Sequence, residues 1–184
     1  FIEKIANVGC EVFIIHARKA FLKGLSPAQN REIPPLNYDL VEEMKVRWPK
    51  LKIILNGGLE TLEEVTKRLS KLDGVMLGRA AYKTPWVLSI VDNLIYGEQE
   101  KNKTRKDVID MMVNYAATQK SLGVPVKSIT RHMLGLFHAE PGAKAWRKFL
   151  AEEASGLDAE PEIIRHAYFA VCEAASLKTQ GEAA

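Results

Sequence analysis

An α/β first part followed by an all-helical second part is the fold class that this 184-residue sequence predicts. Three observations predict it. Short apolar runs alternate with amphipathic helical segments before residue 100, which is typical of parallel strands joined by helices. The stretch 97–104 is polar and charged, as expected of a linker. Beyond it apolar residues recur only at helical spacing, so we predict one domain over 1–99 and a helical domain over 100–184.

The first domain is predicted to contain three strand–helix units. Apolar runs predict strands at 11–17 and 74–78, and the run from 52 ends in a glycine turn at 57–58. A helical segment at 1–8 precedes the first strand. A long polar loop follows that strand, and helices are expected beyond it; the loop covers 18–37 and the helices cover 39–47, 61–71 and 85–96.

Polar or glycine residues stand where each predicted strand ends. In (β/α)₈ barrels the carboxyl ends of the strands meet at one mouth, and a recurrent phosphate site lies in the loops after the last two strands. Glycine lets backbone N–H groups approach a phosphate, and arginine adds bidentate donors. The sequence therefore predicts ligand contacts at the mouth, from His16, Asn56, Gly57, Gly58, Gly78 and Arg79.

Three strand–helix units are too few to close a core. They leave a long sheet edge open, whereas a complete barrel takes about 250 residues. We therefore expect about five further units upstream of Phe1. On this interpretation the chain is the C-terminal fragment of a TIM (β/α)₈ barrel protein.

The composition is that of a globular protein, with 47% hydrophobic and 27% charged residues. No apolar run approaches the roughly 20 residues of a membrane span, and the N-terminus has no signal-peptide pattern. Cys10 and Cys172 have no metal-ligand motif near them, so we expect a reducing, cytoplasmic setting and no metal. Both thiols are predicted to be structural, with Cys172 on an apolar helix face.

The second domain is predicted to hold helices at 104–121, 125–138, 142–154 and 160–177. Residues 101–150 carry 10 basic and 3 acidic side chains, which suggests a polyanionic partner, although a solvated helical face explains the charge as well. Lys144 and Arg147 lie three positions apart on one helix face, and Lys127 and Arg131 precede them. These four residues are predicted to form a patch that follows the backbone of a polyanion. Trp146 and Phe149 are expected to face the core.

Residues 16–36, 56–58 and 73–82 resemble the tRNA-dihydrouridine synthases, most closely the subfamily that reduces uridines 20 and 20a of the D-loop. Residues 129–137 and 141–148 resemble the helical domain of that family. The resemblance implies an FMN-dependent (β/α)₈ barrel with a helical tRNA-binding domain, monomeric when full length. NADPH would reduce the flavin, reduced FMN would pass a hydride to C6 of the uracil, and a cysteine would protonate C5.

The resemblance also implies roles for individual residues. The six predicted mouth residues match positions that contact FMN in the family. Arg31 matches a position that reaches tRNA near the target uridine, and Lys144 and Arg147 match basic contacts of the helical domain. Ala28 is a departure, because similar proteins often have a basic residue there. The cysteine proton donor belongs upstream of Phe1, so no catalytic residue is expected in this fragment, which we predict to bind FMN weakly and to be inactive.

Two other functions fit parts of the sequence. A flavin barrel oxidoreductase acting on a small molecule would share the strand-end glycines, but it would not need the basic helical domain. A non-catalytic RNA-binding helical module would use the second domain alone, although the strand-end signatures argue against it. A helical domain with a purely structural role remains an alternative if Lys144 and Arg147 contribute nothing to tRNA affinity.

Overall fold

The structure, a computed structural model, describes residues 1–99, 103–156 and 158–181. The chain divides into two compact units, Phe1–Ala80 and Ala81–Ala184. Within the second unit, Trp86 packs against the helical core, which places residues ahead of the predicted linker in that unit. Part of the predicted linker, 100–102, lies outside the described residues. The functional boundary near residue 100 stays a prediction.

Helices and strands alternate in the first unit. The elements are α1 (Ile2–Ala6), β1 (Val12–His16), α2 (Pro27–Asn30), α3 (Tyr38–Arg47), β2 (Lys52–Asn56), α4 (Leu62–Leu69) and β3 (Gly74–Met76), and α5 (Arg79–Lys83) spans the unit boundary. Capping boxes begin α2 at Ser26 and α4 at Thr61, each satisfying N–H groups that the first helical turn leaves unpaired.

The three strands form one parallel sheet in the order β1–β2–β3. Their register places His16 beside Asn56 and Asn56 beside Met76, so the three carboxyl ends lie level. Parallel neighbours need helical crossovers, which α3 and α4 supply. The predicted parallel sheet is therefore confirmed, whereas its closure into a barrel stays a prediction.

One face of this sheet is covered and the other is bare. Ile53 and Leu55 of β2 are fully buried on the face that the helices cover. On the opposite face, Val12, Ile14 and Met76 are 53%, 58% and 43% exposed. Parallel sheets are normally buried on both sides. This apolar face therefore lacks the cover that a parallel sheet requires, as far as the described residues go.

In the second unit the regular elements among the described residues are helical. They are a 3-10 helix (Pro85–Ile90), α6 (Val91–Tyr96), α7 (Arg105–Ser121), α8 (Val126–Thr130), α9 (Ala143–Glu153) and α10 (Ile163–Gly181). The core contains the fully buried side chains of Ile109, Trp146 and Ile164. Trp146 packs at a tilt against Phe137 with ring centroids 4.9 Å apart, and its indole N–H donates to the Met133 carbonyl at 2.9 Å.

The helix predicted over 125–138 is wrong in its second half, because α8 ends at Thr130 and turns follow it. Tertiary contacts decide this. The Met133 carbonyl accepts a hydrogen bond from the Trp146 indole. The Gly135 backbone packs so closely on Lys83 that a Cβ atom there would overlap its carbonyl oxygen. A regular helix would move both groups out of these positions.

Other predicted boundaries also shift. The third strand stops at Met76 and α5 begins at Arg79, while the helix predicted over 85–96 starts as a 3-10 helix. The loop predicted over 18–37 contains α2 and returns to β1 through a bridge between Arg18 and Leu36. The placement of Cys172 on an apolar face is wrong, because its side chain on α10 is exposed. None of the helices in the described ranges has the length and apolar composition needed to cross a bilayer.

Candidate functional site

A cavity of about 170 Å³ opens at the carboxyl edge of the sheet in the first unit. Every residue that the sequence predicts as a flavin contact lines it, together with Arg31: they are His16, Asn56, Gly57, Gly58, Gly78 and Arg79. These residues converge because the strands end at the same level of the sheet, so that the turns after β2 and β3 lie side by side. Ala28, on α2, does not line the cavity.

The Gly57-Gly58 turn lies between two groups of side chains. Both residues have positive φ angles, 109° and 74°, which side-chain-bearing residues rarely adopt. A Cβ atom on Gly57 would lie 3.0 to 3.4 Å from the His16 ring. A Cβ atom on Gly58 would overlap Leu36 and lie 2.9 Å from the Tyr38 hydroxyl. Backbone conformation and close packing therefore both require glycine here.

Tyr38 fixes the orientation of the peptide group between the two glycines. Its hydroxyl donates to the Gly57 carbonyl at 3.0 Å. In a trans peptide the carbonyl and the next N–H point in opposite directions, so the Gly58 N–H is directed away from Tyr38. Among the described residues no acceptor is within hydrogen-bond distance of that N–H. An oriented, unpaired N–H beside a second glycine turn is a donor for an anion.

Three further residues support Tyr38, and sequence reasoning missed all four. The Arg68 guanidinium lies 4.4 Å from the centroid of the Tyr38 ring and donates to Glu42 at 2.6 Å. Lys71 also donates to Glu42, and that bond, before the one from Arg68, lowers the pKa of the Glu42 carboxyl. The only sequence signal is the i, i+4 spacing of Tyr38 and Glu42, which puts both on one face of α3.

His16 is a neutral hydrogen-bond donor at the cavity. The Arg18 backbone N–H donates to its Nδ1 at 3.2 Å, so Nδ1 accepts and the ring proton is on Nε2. Burial of the ring is the largest cause that lowers the pKa of His16, and the positive charges of Arg18, Arg79 and Arg31 lower it further. Near neutral pH the imidazole therefore carries no charge and offers its Nε2–H to a ligand.

Arg79, at the start of α5, lines the same cavity as the glycine turns, and it pairs with Glu32. The ion pair spans 2.9 Å, with side chains 48% and 65% exposed. Exposed pairs contribute at most about 1 kcal/mol, so a bound dianion can replace the Glu32 carboxylate at little loss. Sequence reasoning missed Glu32, because ion-pair partners separated by 47 positions leave no local signal.

The residues predicted to contact tRNA lie in both units. In the first unit, Arg31 is exposed at the cavity and Ala28 is exposed on α2. In the second unit, Lys144 and Arg147 are exposed on α9, whose opposite face buries Trp146, and neither forms an ion pair with a described residue. Lys127 and Arg131 are exposed on α8 and at its C-terminus. These positions suit contact with a polyanion.

Neither Cys10 nor Cys172 lines this cavity. Cys10 lies just before β1, at the end of the strand away from the cavity, and its thiol donates to the Val12 carbonyl at 3.4 Å. Across the described residues there is no group of three or more His, Cys, Asp or Glu side chains arranged to hold a metal ion. The predicted absence of a metal stays a prediction.

The sheet and its cavity define an α/β protein with glycine turns, a histidine and an arginine around one cavity at the carboxyl edge of parallel strands. Residues 1–170 match the dihydrouridine synthase (Dus) family, and the chain belongs to that family. The resemblance inferred from the motifs at 16–36, 56–58 and 73–82 is therefore confirmed.

Curated relatives are tRNA-dihydrouridine(20/20a) synthases. The protein of Shewanella oneidensis is 46% identical over 171 residues, which cover 93% of this chain and 51% of the relative. The protein of Escherichia coli strain K12 is 45% identical over 168 residues, covering 91% of this chain and 49% of the relative. The Pasteurella multocida protein is 42% identical over 167 residues. The chain spans about half the length of the curated relatives that it matches.

Proposed function

We propose that the chain is the C-terminal part of an enzyme that reduces uridine to 5,6-dihydrouridine in the D-loop of tRNA, at positions 20 and 20a. FMN is the proposed cofactor and NADPH the reductant. The observation that carries this proposal is the convergence of two glycine turns, His16 and Arg79 on one cavity in a chain of the dihydrouridine synthase family. The names of the curated relatives support tRNA as the substrate.

The bare face of the sheet supports a barrel completed by upstream strand–helix units. Val12 and Ile14 are exposed on this face. In addition, an apolar cavity of about 860 Å³ runs along β1. Arg18 lines that cavity and donates from Nε to the Pro34 carbonyl at 2.8 Å. Its Nη1 is buried without an acceptor among the described residues. Buried polar groups are normally satisfied, so we infer that upstream chain supplies the missing acceptor and covers the sheet.

The cavity fits the phosphate end of FMN rather than the whole molecule. Its volume of about 170 Å³ is below the roughly 300–1,000 Å³ of sites that enclose a drug-sized ligand. The glycine cradle, the Gly58 N–H and the Arg79 guanidinium are the donors that a phosphate dianion requires. We infer that the remainder of the flavin is held outside this cavity.

The proposed roles of this chain's residues are to bind and orient the cofactor and the tRNA. When bound, reduced FMN supplies the hydride for C6 of uracil. Gly58 and Arg79 would hold the phosphate, and the Nε2–H of neutral His16 would donate to an acceptor of the same cofactor. Arg31 at the rim, with Lys144 and Arg147 on α9, would contact the tRNA backbone. Each of these roles is independent of the proposed upstream cysteine.

The test uses the full-length protein, meaning this chain together with the proposed upstream units, in cells that lack their own tRNA-dihydrouridine(20/20a) synthase. It is expected to restore dihydrouridine at positions 20 and 20a, measured by mass spectrometry of tRNA. Arg79→Ala is expected to weaken FMN binding at least tenfold, because losing a hydrogen bond to a charged group removes about 1.5–3 kcal/mol.

Glu32→Gln is the matched control for Arg79→Ala, because it breaks the same ion pair but keeps the arginine. We expect it to bind FMN as tightly as the wild type or more tightly. Unchanged FMN affinity in Arg79→Ala would contradict the phosphate site. A folded, flavin-loaded wild-type protein that restores no dihydrouridine would contradict the tRNA assignment.

Tyr38→Phe tests the orientation of the Gly57–Gly58 peptide. Removing the hydroxyl leaves the Gly57 carbonyl without its donor and frees the peptide to turn, which is expected to weaken FMN binding about three- to tenfold, equivalent to about 0.5–1.5 kcal/mol. Riboflavin, which lacks the phosphate, is expected to bind equally to both proteins. The measurement is a fluorescence titration with each flavin. Tyr96→Phe, at an exposed tyrosine of the second unit, is the control. An equal loss for both flavins would refute the role assigned to Tyr38.

A further inference from the structure

A side-chain network in the second unit joins α5 to the end of α8. The Tyr82 hydroxyl lies 2.9 Å from Nδ1 of His132, and Nε of Arg131 donates to Nε2 of the same ring at 3.2 Å. The rings of Tyr82 and His132 meet edge to face, with centroids 5.8 Å apart. Both nitrogens of one exposed imidazole therefore have side-chain partners, which hold Arg131 and Tyr82 at defined positions.

The chemistry of the three groups fixes the direction of each hydrogen bond. An arginine Nε–H can only donate, so His132 Nε2 is an acceptor and the neutral ring carries its proton on Nδ1. Nδ1–H then donates to the Tyr82 oxygen, which leaves the tyrosine O–H free to donate elsewhere. The hydrogen bond to His132 uses Nε of Arg131, and the terminal guanidinium nitrogens have no acceptor among the described residues. The network thus presents donors and a positive charge to solvent.

Two other arginines of the unit are also held by side-chain hydrogen bonds, but their partners are carboxylates. Arg105 pairs with Glu140 at 2.7 Å, and Arg165 pairs with Asp110 at 3.1 Å. Those charges are neutralised by carboxylates. Arg131 is held by a neutral imidazole and has no carboxylate partner among the described residues, so it keeps its full charge while its side chain is already ordered.

The backbone beneath the network is fixed by the core. Ile129, Thr130 and Met133 are 8%, 2% and 7% exposed, although Arg131 and His132 between them face solvent. Gly135 packs directly on the Lys83 carbonyl, next to Tyr82. The segments that carry the donors are therefore held against each other by close backbone packing, and the donor spacing does not depend on the exposed bonds alone.

An apolar groove lies beside the donors. It has a volume of about 400 Å³, and His132, Tyr115 and Met112 contribute to its walls. Tyr115 is 51% exposed, so its ring is available to stack on a base or ribose. A cationic donor pair next to an exposed aromatic side chain is the arrangement with which proteins bind a nucleotide of a folded or single-stranded RNA.

We propose that Arg131, His132 and Tyr82 form a phosphodiester-binding site for RNA. Arg131 and the Tyr82 hydroxyl donate to the phosphate oxygens, and the adjoining groove accepts an apolar face of the attached nucleotide. His132 is a positioning residue that orders the two donors through its ring nitrogens and makes no hydrogen bond to the RNA. This inference rests on the proposed function, because tRNA is the RNA in question.

The test measures binding of an unmodified tRNA transcript to the full-length protein at several salt concentrations. Arg131→Ala is expected to weaken binding about tenfold at low salt and to reduce the slope of log K against log salt by about one. His132→Leu removes both hydrogen bonds but leaves the charge, so we expect about fivefold weaker binding with an unchanged slope. His132→Gln, which accepts and donates through its amide, is expected to restore most of the affinity.

Three readouts separate positioning from a merely structural role. ¹⁵N NMR of the wild type is expected to show His132 protonated on Nδ1. The double variant Arg131→Ala/His132→Leu is expected to lose less affinity than the two single variants together, because without Arg131 the imidazole orders only Tyr82. His166→Leu, at another exposed histidine of the unit, is the control and should leave affinity unchanged.

Additive losses in the double variant, wild-type affinity in His132→Leu, or no rescue by glutamine would each overturn the inference. If Lys144→Ala weakens tRNA binding while Arg131→Ala and His132→Leu do not, this site fails and the proposed function stands. A wild-type protein that binds no tRNA overturns both.

Discussion

Gly58→Ala is expected to lower the free energy of unfolding of the first unit by about 2–5 kcal/mol, combining about 1–2 kcal/mol for a left-handed residue with about 1–3 kcal/mol for overpacking. The added methyl group would overlap Leu36 and crowd the Tyr38 hydroxyl. Flavin binding is expected to fall at least 100-fold, because the N–H that we propose to face the phosphate moves with the turn. Urea unfolding and flavin titration of the full-length protein measure the two effects.

Gly24→Ala is the matched control for this change. Gly24 has a similar positive φ of 87°, but a Cβ atom there would meet no other atom within 4 Å. It is expected to show only the conformational loss of about 1–2 kcal/mol, with unchanged flavin affinity. If Gly58→Ala lost no more stability than Gly24→Ala and still bound flavin, the close packing around Gly58 would be irrelevant to the site.

Trp146→Ala is expected to destabilise the second unit by about 3–5 kcal/mol, the range for removing a fully buried aromatic side chain. Trp146 has no exposed surface, packs at a tilt against Phe137, and supplies the only described side-chain donor to the Met133 carbonyl. Its loss would leave that carbonyl with only the backbone hydrogen bond from the Leu136 N–H, and would loosen the turns after α8. Thermal unfolding followed by circular dichroism measures the change.

Two further substitutions separate the contributions at this position. Trp146→Phe keeps an aromatic ring but removes the indole N–H, and we expect an intermediate loss of about 1–3 kcal/mol for the lost hydrogen bond and the smaller ring. Lys144→Ala, two residues earlier on the exposed face of α9, should change stability by less than about 0.5 kcal/mol. A stability change below 1 kcal/mol in Trp146→Ala would contradict the assigned core.

The strand ends are the part of the site that could be predicted from sequence, because their signals are local. The apolar run at Ile53 to Leu55, with two β-branched residues, predicts a buried strand, and adjacent glycines at 57 and 58 predict a backbone with positive φ. Since parallel strands share one carboxyl edge, the two turns had to meet once both strands were placed correctly. Their convergence on one cavity with His16 agrees with this reasoning.

The groups that orient the site were not predictable in the same way. Tyr38 is 19 positions from Gly57, and Glu32 is 47 positions from Arg79. Hydrogen bonds over such separations depend on how α2, α3 and the turns pack, and nothing in a local window records that packing. The i, i+4 spacing of Tyr38 and Glu42 indicates a shared helix face but not what the face contacts.

The sequence by itself determined the parallel strands, the glycine turns that follow them, and the helix whose exposed face carries Lys144 and Arg147. These features are local, because the spacing of apolar residues and the conformation of glycine act within a few residues. Only the tertiary structure decided that α8 stops at Thr130 and that His132 binds Arg131 and Tyr82. The physical reason is that local propensity allows the helix to continue, whereas the Trp146 indole and the Gly135–Lys83 packing take the backbone groups that a longer helix would need.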